Sequence, residues 1–170
     1  QRAHRPYHES DQVLNTAHNA LCGGTRLEDI ENRRTDAVFL DGLGTPSLPD
    51  PTTAGDFCRR FDATSIMALQ EAVNRARVKV WSQQPASFFA QTARIDADAS
   101  ILPTDGQCKQ GMDISYKGIW GYSALLVSLA NTAEPLYTSL HGANRPSHEG
   151  VVPLYDRSLE HCRQAGFTDI

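Results

Sequence analysis

Asp96 and Asp98 are the residues whose type and spacing most directly suggest chemistry. If Ala93-Arg94-Ile95-Asp96-Ala97-Asp98-Ala99 is a strand, its two-residue period puts Ala93, Ile95 and Ala97 on one face and Arg94, Asp96 and Asp98 on the other. Two carboxylates side by side on a rigid strand repel each other unless a cation, a shared proton or open solvent relieves them. A divalent-metal or phosphoryl-transfer site is one consequence. A solvated strand face with Arg94 as local counter-ion is the other, and the spacing alone leaves both open.

The cations come in small clusters: Arg33-Arg34, Arg59-Arg60, and the series Arg75, Arg77, Lys79. Each could meet DNA phosphates, and each is also what an ordinary solvated helix face looks like. In Asn144-Arg145-Pro146-Ser147-His148-Glu149 a cation, a helix start and an acid share one loop, so Arg145 and His148 are candidate phosphate contacts. The competing reading is capping, with Ser147 satisfying backbone N–H groups and Glu149 complementing the helix dipole. His148-Glu149 is not a zinc-protease motif, because no second histidine follows at the required spacing. Lys109, Lys117 and Trp120 are further candidates for DNA contact, with Trp120 better suited to the core.

Several elements must position these groups. Ser10 opens a helix with Val13, Leu14, Ala17, Ala20 and Leu21 as its inward stripe and Cys22-Gly23-Gly24 as its stop. Thr25-Arg26-Leu27-Glu28 is a capping-box pattern with Leu27 and Ile30 inward, and Asp36 to Leu43 makes a further turn of helix. Asp50-Pro51 is an N-cap followed by proline at the first helical position, with Ala54, Phe57, Cys58 and Phe61 on one face behind it. A longer helix runs from about Thr64 to Trp81, its buried stripe Ile66, Leu69, Val73, Ala76 and Val80. Gln84-Pro85 ends it. The two helices around Asp62 resemble a helix-turn-helix in outline.

After Pro85 the helical period gives way to alternation. The aspartate strand turns at Pro103-Thr104-Asp105-Gly106, Tyr122 to Ala130 is an apolar strand, and Leu136 to Leu140 returns after a turn at Asn131 to Glu134. Ser147 then caps a helix carrying Val151, Leu154, Tyr155, Ser158 and Cys162 along one side, and Phe167 to Ile170 approaches a further strand. The expected class is α+β: a helical region over 1–85, serving DNA binding or dimerisation, and a three-stranded antiparallel meander plus helix over 86–170.

Composition bounds the function. The chain has 170 residues, 40% of them hydrophobic, enough for a sizeable core. Its net charge is −4 and neither half has an excess of Lys and Arg over Asp and Glu, which excludes a generally basic nucleic-acid coat. No apolar run spans a membrane and Gln1 to Pro6 does not read as a signal peptide, so a soluble cytoplasmic protein without membrane contact is expected. Cys22, Cys58, Cys108 and Cys162 are widely spaced, without a Cys-x-x-Cys pair, and read as reduced and mostly buried.

The order strand, strand, strand, helix, with an aspartate on the first strand, is the opening of the ribonuclease H-like fold. The segments "YHESDQVLNTAHNALCGG", "LEDIENRR", "PDPTTAGDFCRRF", "IDADAS", "CKQGMDISYKGIWGYSALLVSLANT" and "NRPSHEG" closely resemble bacterial insertion-sequence transposases of the DDE class, over nearly the whole chain. That resemblance implies a nucleoid-associated bacterial protein with DNA transposon ends as its partner and a homo-oligomer in the full-length form. It implies that Asp98 is the first acid of a catalytic triad, with Asp96 as accessory. In a full-length relative, two Mg²⁺ ions held by three carboxylates would promote in-line displacement at a phosphodiester. The second aspartate of such enzymes lies on the strand after the helix and the glutamate much later. Neither is present, so the chain reads as the truncated N-terminal part of such a transposase, inactive alone. A non-catalytic DNA-binding or oligomerising remnant is the alternative.

Ile95-Asp96-Ala97-Asp98-Ala99-Ser100 also fits the Asp-x-Asp-x-Ser/Thr signature of haloacid-dehalogenase-like phosphatases, with Asp96 as nucleophile and Asp98 as acid/base. That family needs a parallel, doubly wound sheet, whereas the alternating segments here predict an antiparallel one.

Overall fold

A computed structural model describes residues 7–106 and 109–170. The chain forms two compact units, 1–66 and 67–170, dividing inside one long helix.

In the first unit α1 spans Glu9–Leu21. His8, not Ser10, stands at its N-cap, and the His8 N–H donates to the Asp11 carboxylate at 2.9 Å. The buried face of α1 is amide, not aliphatic: Gln12, Asn15 and Asn19 are buried while Val13, Leu14 and Leu21 are exposed. This reverses the expected stripe, because backbone carbonyls compete for that face. Asn15 donates to the Pro49 carbonyl at 3.3 Å. Asn19 donates to the Arg26 carbonyl at 2.9 Å and accepts from Arg33 at 3.2 Å. A buried carbonyl left unpaired costs about as much as an exposed leucine forfeits, so the amides take the inside.

A 3-10 turn at Leu27–Ile30 leads into α2, Glu31–Arg34. Asp29 rather than Glu28 caps it, accepting from the Thr25 and Arg26 N–H groups at 2.8 and 3.1 Å. Then α3, Ala37–Gly42, starts at Asp36, and α4, Pro51–Cys58, starts at Asp50 as its Asp-Pro signal predicts, with the Thr53 N–H on the Asp50 carboxylate at 2.9 Å. Ile30, Leu48, Ala54 and Phe57 are the buried hydrophobics of this unit.

The helix α5 runs Ala63–Trp81 and a short α6 follows at Ala86–Phe89. The second unit is built on a four-stranded antiparallel sheet: β1 Ile95–Pro103, β2 Asp113–Ile114, β3 Trp120–Leu129 and β4 Glu134–Gly142. β3 is central, pairing β1 along its length and β4 from Tyr122 to Leu129, and the two-residue β2 adds to its beginning. Pro135 falls at the β3–β4 register shift, where its missing N–H breaks no ladder bond. Gly121 is held at φ 159° against β1, and a Cβ there would lie 2.1 Å from the Leu102 carbonyl oxygen.

The last helix, α7, spans Val151–Ala165. It packs on the face carrying Ile95, Ala97, Val127 and Leu129, with Leu154, Cys162, Ala165 and Phe167 in the same core. Phe88, Phe89 and Trp81 meet Phe167 at ring-centroid distances of 5.1, 5.2 and 6.4 Å. Gly150 in the left-handed conformation, not Ser147, is its N-cap. Pro146 to Gly150 close as turns, and Ser147 sits one turn too early to reach the helix N–H groups. After α7 the chain runs back to the start of β1, where the Ala93 N–H donates to the Asp169 carbonyl at 2.8 Å.

α5 also inverts its expected stripe. Ile66, Leu69, Val73 and Val80 are 46–59% exposed, and the face turned to the sheet carries Met67, Asn74, Val78 and Trp81. The reason is the open edge of β4. Asn74 donates to the Leu136 carbonyl at 2.8 Å and Gln70 accepts from the Thr138 N–H at 2.6 Å, so α5 supplies side-chain amides to backbone groups with no neighbouring strand. Cys162 is buried, which pushes its thiol up to about 11. Cys22 and Cys58 are exposed, against the expectation of a core role; Cys108 lies outside the described residues. No described helix is long and apolar enough to cross a membrane.

Candidate functional site

Alternation on β1 does what the sequence predicts. Ile95, Ala97 and Ala99 turn to the α7 core while Asp96, Asp98 and Ser100 stay exposed on the other side. Two residues apart on one strand, the aspartates start from backbone positions about 7 Å apart. Their cross-strand partners are Ser128 and Leu126, so no cation stands directly opposite either carboxylate. Asp98 accepts from the neighbouring Ala99 N–H at 2.8 Å.

Carboxylate oxygens are the ligand type Mg²⁺ prefers. Among the described residues, however, no group of three or more His, Cys, Asp or Glu side chains converges to hold a metal ion. Asp96 and Asp98 provide one edge of such a site and do not fit a two-metal centre by themselves.

Asp98 does line a cleft of about 760 Å³, together with Ser100, Lys117, Asn144, Arg145 and Ser147. The cleft therefore gathers one aspartate, Asp98, and two cations, Lys117 and Arg145, from the sequence-derived set. Asp96 and His148 do not line it. Arg145 is tied to Glu149 at 2.9 Å, across one helical repeat of the loop that precedes α7. Lys117 sits 5.4 Å from the centre of the Tyr116 ring, which is 86% exposed. Trp120 is 48% exposed rather than core, since it opens β3 where only the two-residue β2 pairs with it.

Arg59 and Arg60 follow α4 in the first unit, both exposed as expected. Arg59 pairs with Asp56 at 2.5 Å and Arg60 with Glu9 at 2.7 Å, the Arg60 guanidinium lying 5.6 Å from the centre of the Phe57 ring. Exposed pairs of this kind are worth at most about 1 kcal/mol. They partner both arginines with acids of the same unit. Arg33 is committed elsewhere, donating to the Asp29 carbonyl at 2.9 Å and to Asn19.

The most connected polar cluster was not legible beforehand. Glu71 on α5 accepts from the Tyr137 hydroxyl at 2.9 Å and from Arg157 at 2.5 Å, and His161 Nε2 lies 2.8 Å from the Tyr137 oxygen and 3.3 Å from Glu71. Burial pushes the Glu71 carboxyl up, but the Tyr137 and Arg157 donors and the neighbouring charges together hold it below the usual range. Burial, and then the bond to Glu71, push the Tyr137 hydroxyl up to about 12. The cluster ties α5, β4 and α7 together. Its members are far apart in sequence and no local period links them, so nothing in the sequence alone could have assembled them.

The class these observations define is an α+β protein whose second unit is an open antiparallel sheet with one helix packed on it. No family model, no curated protein and no solved structure matches the chain.

Proposed function

We propose that the chain acts in DNA transposition, as part of a DDE-class transposase whose catalytic domain is ribonuclease H-like, with Asp98 as its first-strand acid and Asp96 beside it. One observation carries the reading: Asp98 stands in the middle of the first strand of an antiparallel meander, the strands lead into a helix on the opposite face, and the chain then returns along the start of β1 through Ala93 and Asp169. The sequence segments quoted above support the same reading. The cleft adds Lys117 and Arg145 beside Asp98, a pairing suited to a phosphodiester held near a carboxylate. No metal-dependent step is derived from the two aspartates alone.

An antiparallel sheet lacks the parallel, doubly wound order that the phosphatase alternative requires. A non-catalytic DNA-binding role is the second reading.

The test is selection from a pool of randomised duplexes at low salt, followed by binding to the enriched duplex and to a scrambled one. Enrichment of a defined sequence, with affinity falling steeply as salt rises, is the expected result. Binding that neither enriches a sequence nor responds to salt overturns the proposal.

A further inference from the structure

Tyr116 is held out in solvent by a hairpin that leaves its backbone little freedom. The Ser115 N–H donates to the Ile119 carbonyl at 2.8 Å, the Gly118 N–H to the Ser115 carbonyl at 2.9 Å, and the Ile119 N–H to the Ser115 hydroxyl at 3.0 Å. Gly118, at φ 73°, closes the loop in a conformation that suits glycine. Ser115 is buried at the base, while Tyr116 and Lys117 form the tip. Both line the cleft that Asp98, Ser100 and Arg145 also line. A ring this exposed gains nothing from the core, and a stiff loop presents it to a ligand at low entropic cost.

We propose that the cleft takes one unpaired nucleotide of a DNA strand, its base stacked on the Tyr116 ring and its phosphate held by Lys117 and Arg145. The inference rests on the reading that the chain binds DNA, and adds the form of DNA that this site takes. Inside a duplex both faces of a base are covered by its neighbours, so an aromatic side chain finds a free face only on an unpaired or splayed-out base. The Lys117 ammonium lies over the Tyr116 ring, 5.4 Å from its centre, which sets a cation beside the stacking surface and leaves the ring's other face for one base. No acid among the described residues pairs with Lys117, whereas Arg145 shares its charge with Glu149. Lys117 is therefore the stronger of the two phosphate contacts.

Size and lining agree with a single nucleotide. The cleft's volume of about 760 Å³ falls within the range of about 300–1,000 Å³ found for small-ligand sites, and a duplex would have to lie outside it. Tyr116 is the one aromatic among its described lining residues, so only one base is stacked; Trp120, on the same hairpin, does not line it. The cleft is polar where a sugar or a base edge would reach. Ser123 lines it and is 5% exposed. Directly opposite Ser123 on β4 stands His141, whose two ring nitrogens are buried with no partner among the described residues. Buried polar atoms are ordinarily satisfied by protein, water or a ligand, and the hydroxyl and base-edge groups of a nucleotide are of the kind these atoms lack.

The experiment titrates the whole chain at low salt into two end-labelled duplexes of one sequence, one fully paired and one carrying a single unpaired adenine as a bulge, with fluorescence anisotropy as the readout. The bulged duplex should bind about tenfold tighter, the gain expected of one base–aromatic stack. Tyr116→Ala should abolish that difference while leaving the paired duplex bound as before, and Tyr116→Phe and Tyr116→Trp should keep it. Because Tyr116 is 86% exposed, these variants retain the fold, which circular dichroism checks. Lys117→Ala should weaken binding and lower the slope of log K against log salt by about one. Equal affinity for the two duplexes, or a preference that survives Tyr116→Ala, overturns the proposal and leaves the DNA-binding reading standing. Failure to bind either duplex removes that reading and this inference with it. Displacement of the bulged duplex by an equal concentration of deoxyadenosine monophosphate would make the cleft a site for free nucleotides, which also overturns the proposal.

Discussion

Asn74 donates its side-chain amide to the Leu136 carbonyl at 2.8 Å, with both residues almost wholly buried. This bond joins the middle of α5 to the outer edge of β4 and, with Gln70 on the Thr138 N–H, fixes which side of the helix faces the sheet. Replacing Asn74 with Ala removes the donor and leaves a buried carbonyl unpaired, an expected loss of about 2–3 kcal/mol. Urea unfolding of the two proteins measures it. A loss below about 0.5 kcal/mol would mean that the edge carbonyl is satisfied without Asn74.

Glu71 makes the second unit sensitive to acid. Its carboxyl is held below the ordinary glutamate value by the Tyr137 and Arg157 donors and the neighbouring charges, so the folded state binds its proton less readily than the unfolded chain does. The stability this provides is fully present above the unfolded value and is lost as pH falls through the lower folded one. Denaturant midpoints measured from pH 7 down to pH 3 should therefore decline more in the native protein than in Glu71→Gln, which starts lower and changes less. Parallel curves would remove Glu71 from the acid response.

Arg59 and Arg60 bear on the DNA-binding reading. Each must leave its acid partner to reach a phosphate, and each phosphate contact releases about one counterion. Changing both to Ala should weaken binding to all duplexes alike and lower the slope of log K against log salt by about one to two. Releasing them instead with Glu9→Gln and Asp56→Asn should tighten binding. An unchanged slope would leave both arginines as ordinary surface residues.

Incubated with Mg²⁺ or Mn²⁺ and end-labelled DNA, the 170-residue chain should neither nick nor join. Asp96 and Asp98 lie on one face of one strand, whereas in-line displacement needs ligands converging from separate elements around both the attacking and the leaving oxygen. Nicking that disappears in Asp98→Ala would show a complete centre within these residues and refute that geometry.

Local patterns in the sequence determined a good deal. Asp50-Pro51 starts α4 because a carboxylate cap followed by proline suits the first turn in any context, and alternation through β1 places Asp96 and Asp98 on one side because strand geometry allows nothing else. The apolar run from Tyr122 to Leu129 is a strand for the same local reason, but only one of its faces is buried, with Leu125, Val127 and Leu129 inside and Leu126 exposed. The tertiary structure alone decided which way the helices face. The apolar periods of α1 and α5 point outward, because Asn15, Asn19, Gln70 and Asn74 have backbone groups to satisfy: the Pro49 and Arg26 carbonyls and the edge of β4. The cluster of Glu71, Tyr137, Arg157 and His161 likewise exists only once α5, β4 and α7 are packed. A hydrophobic period reports what a helix could bury, but unpaired backbone groups on distant segments set which face is used, and their positions come from the fold.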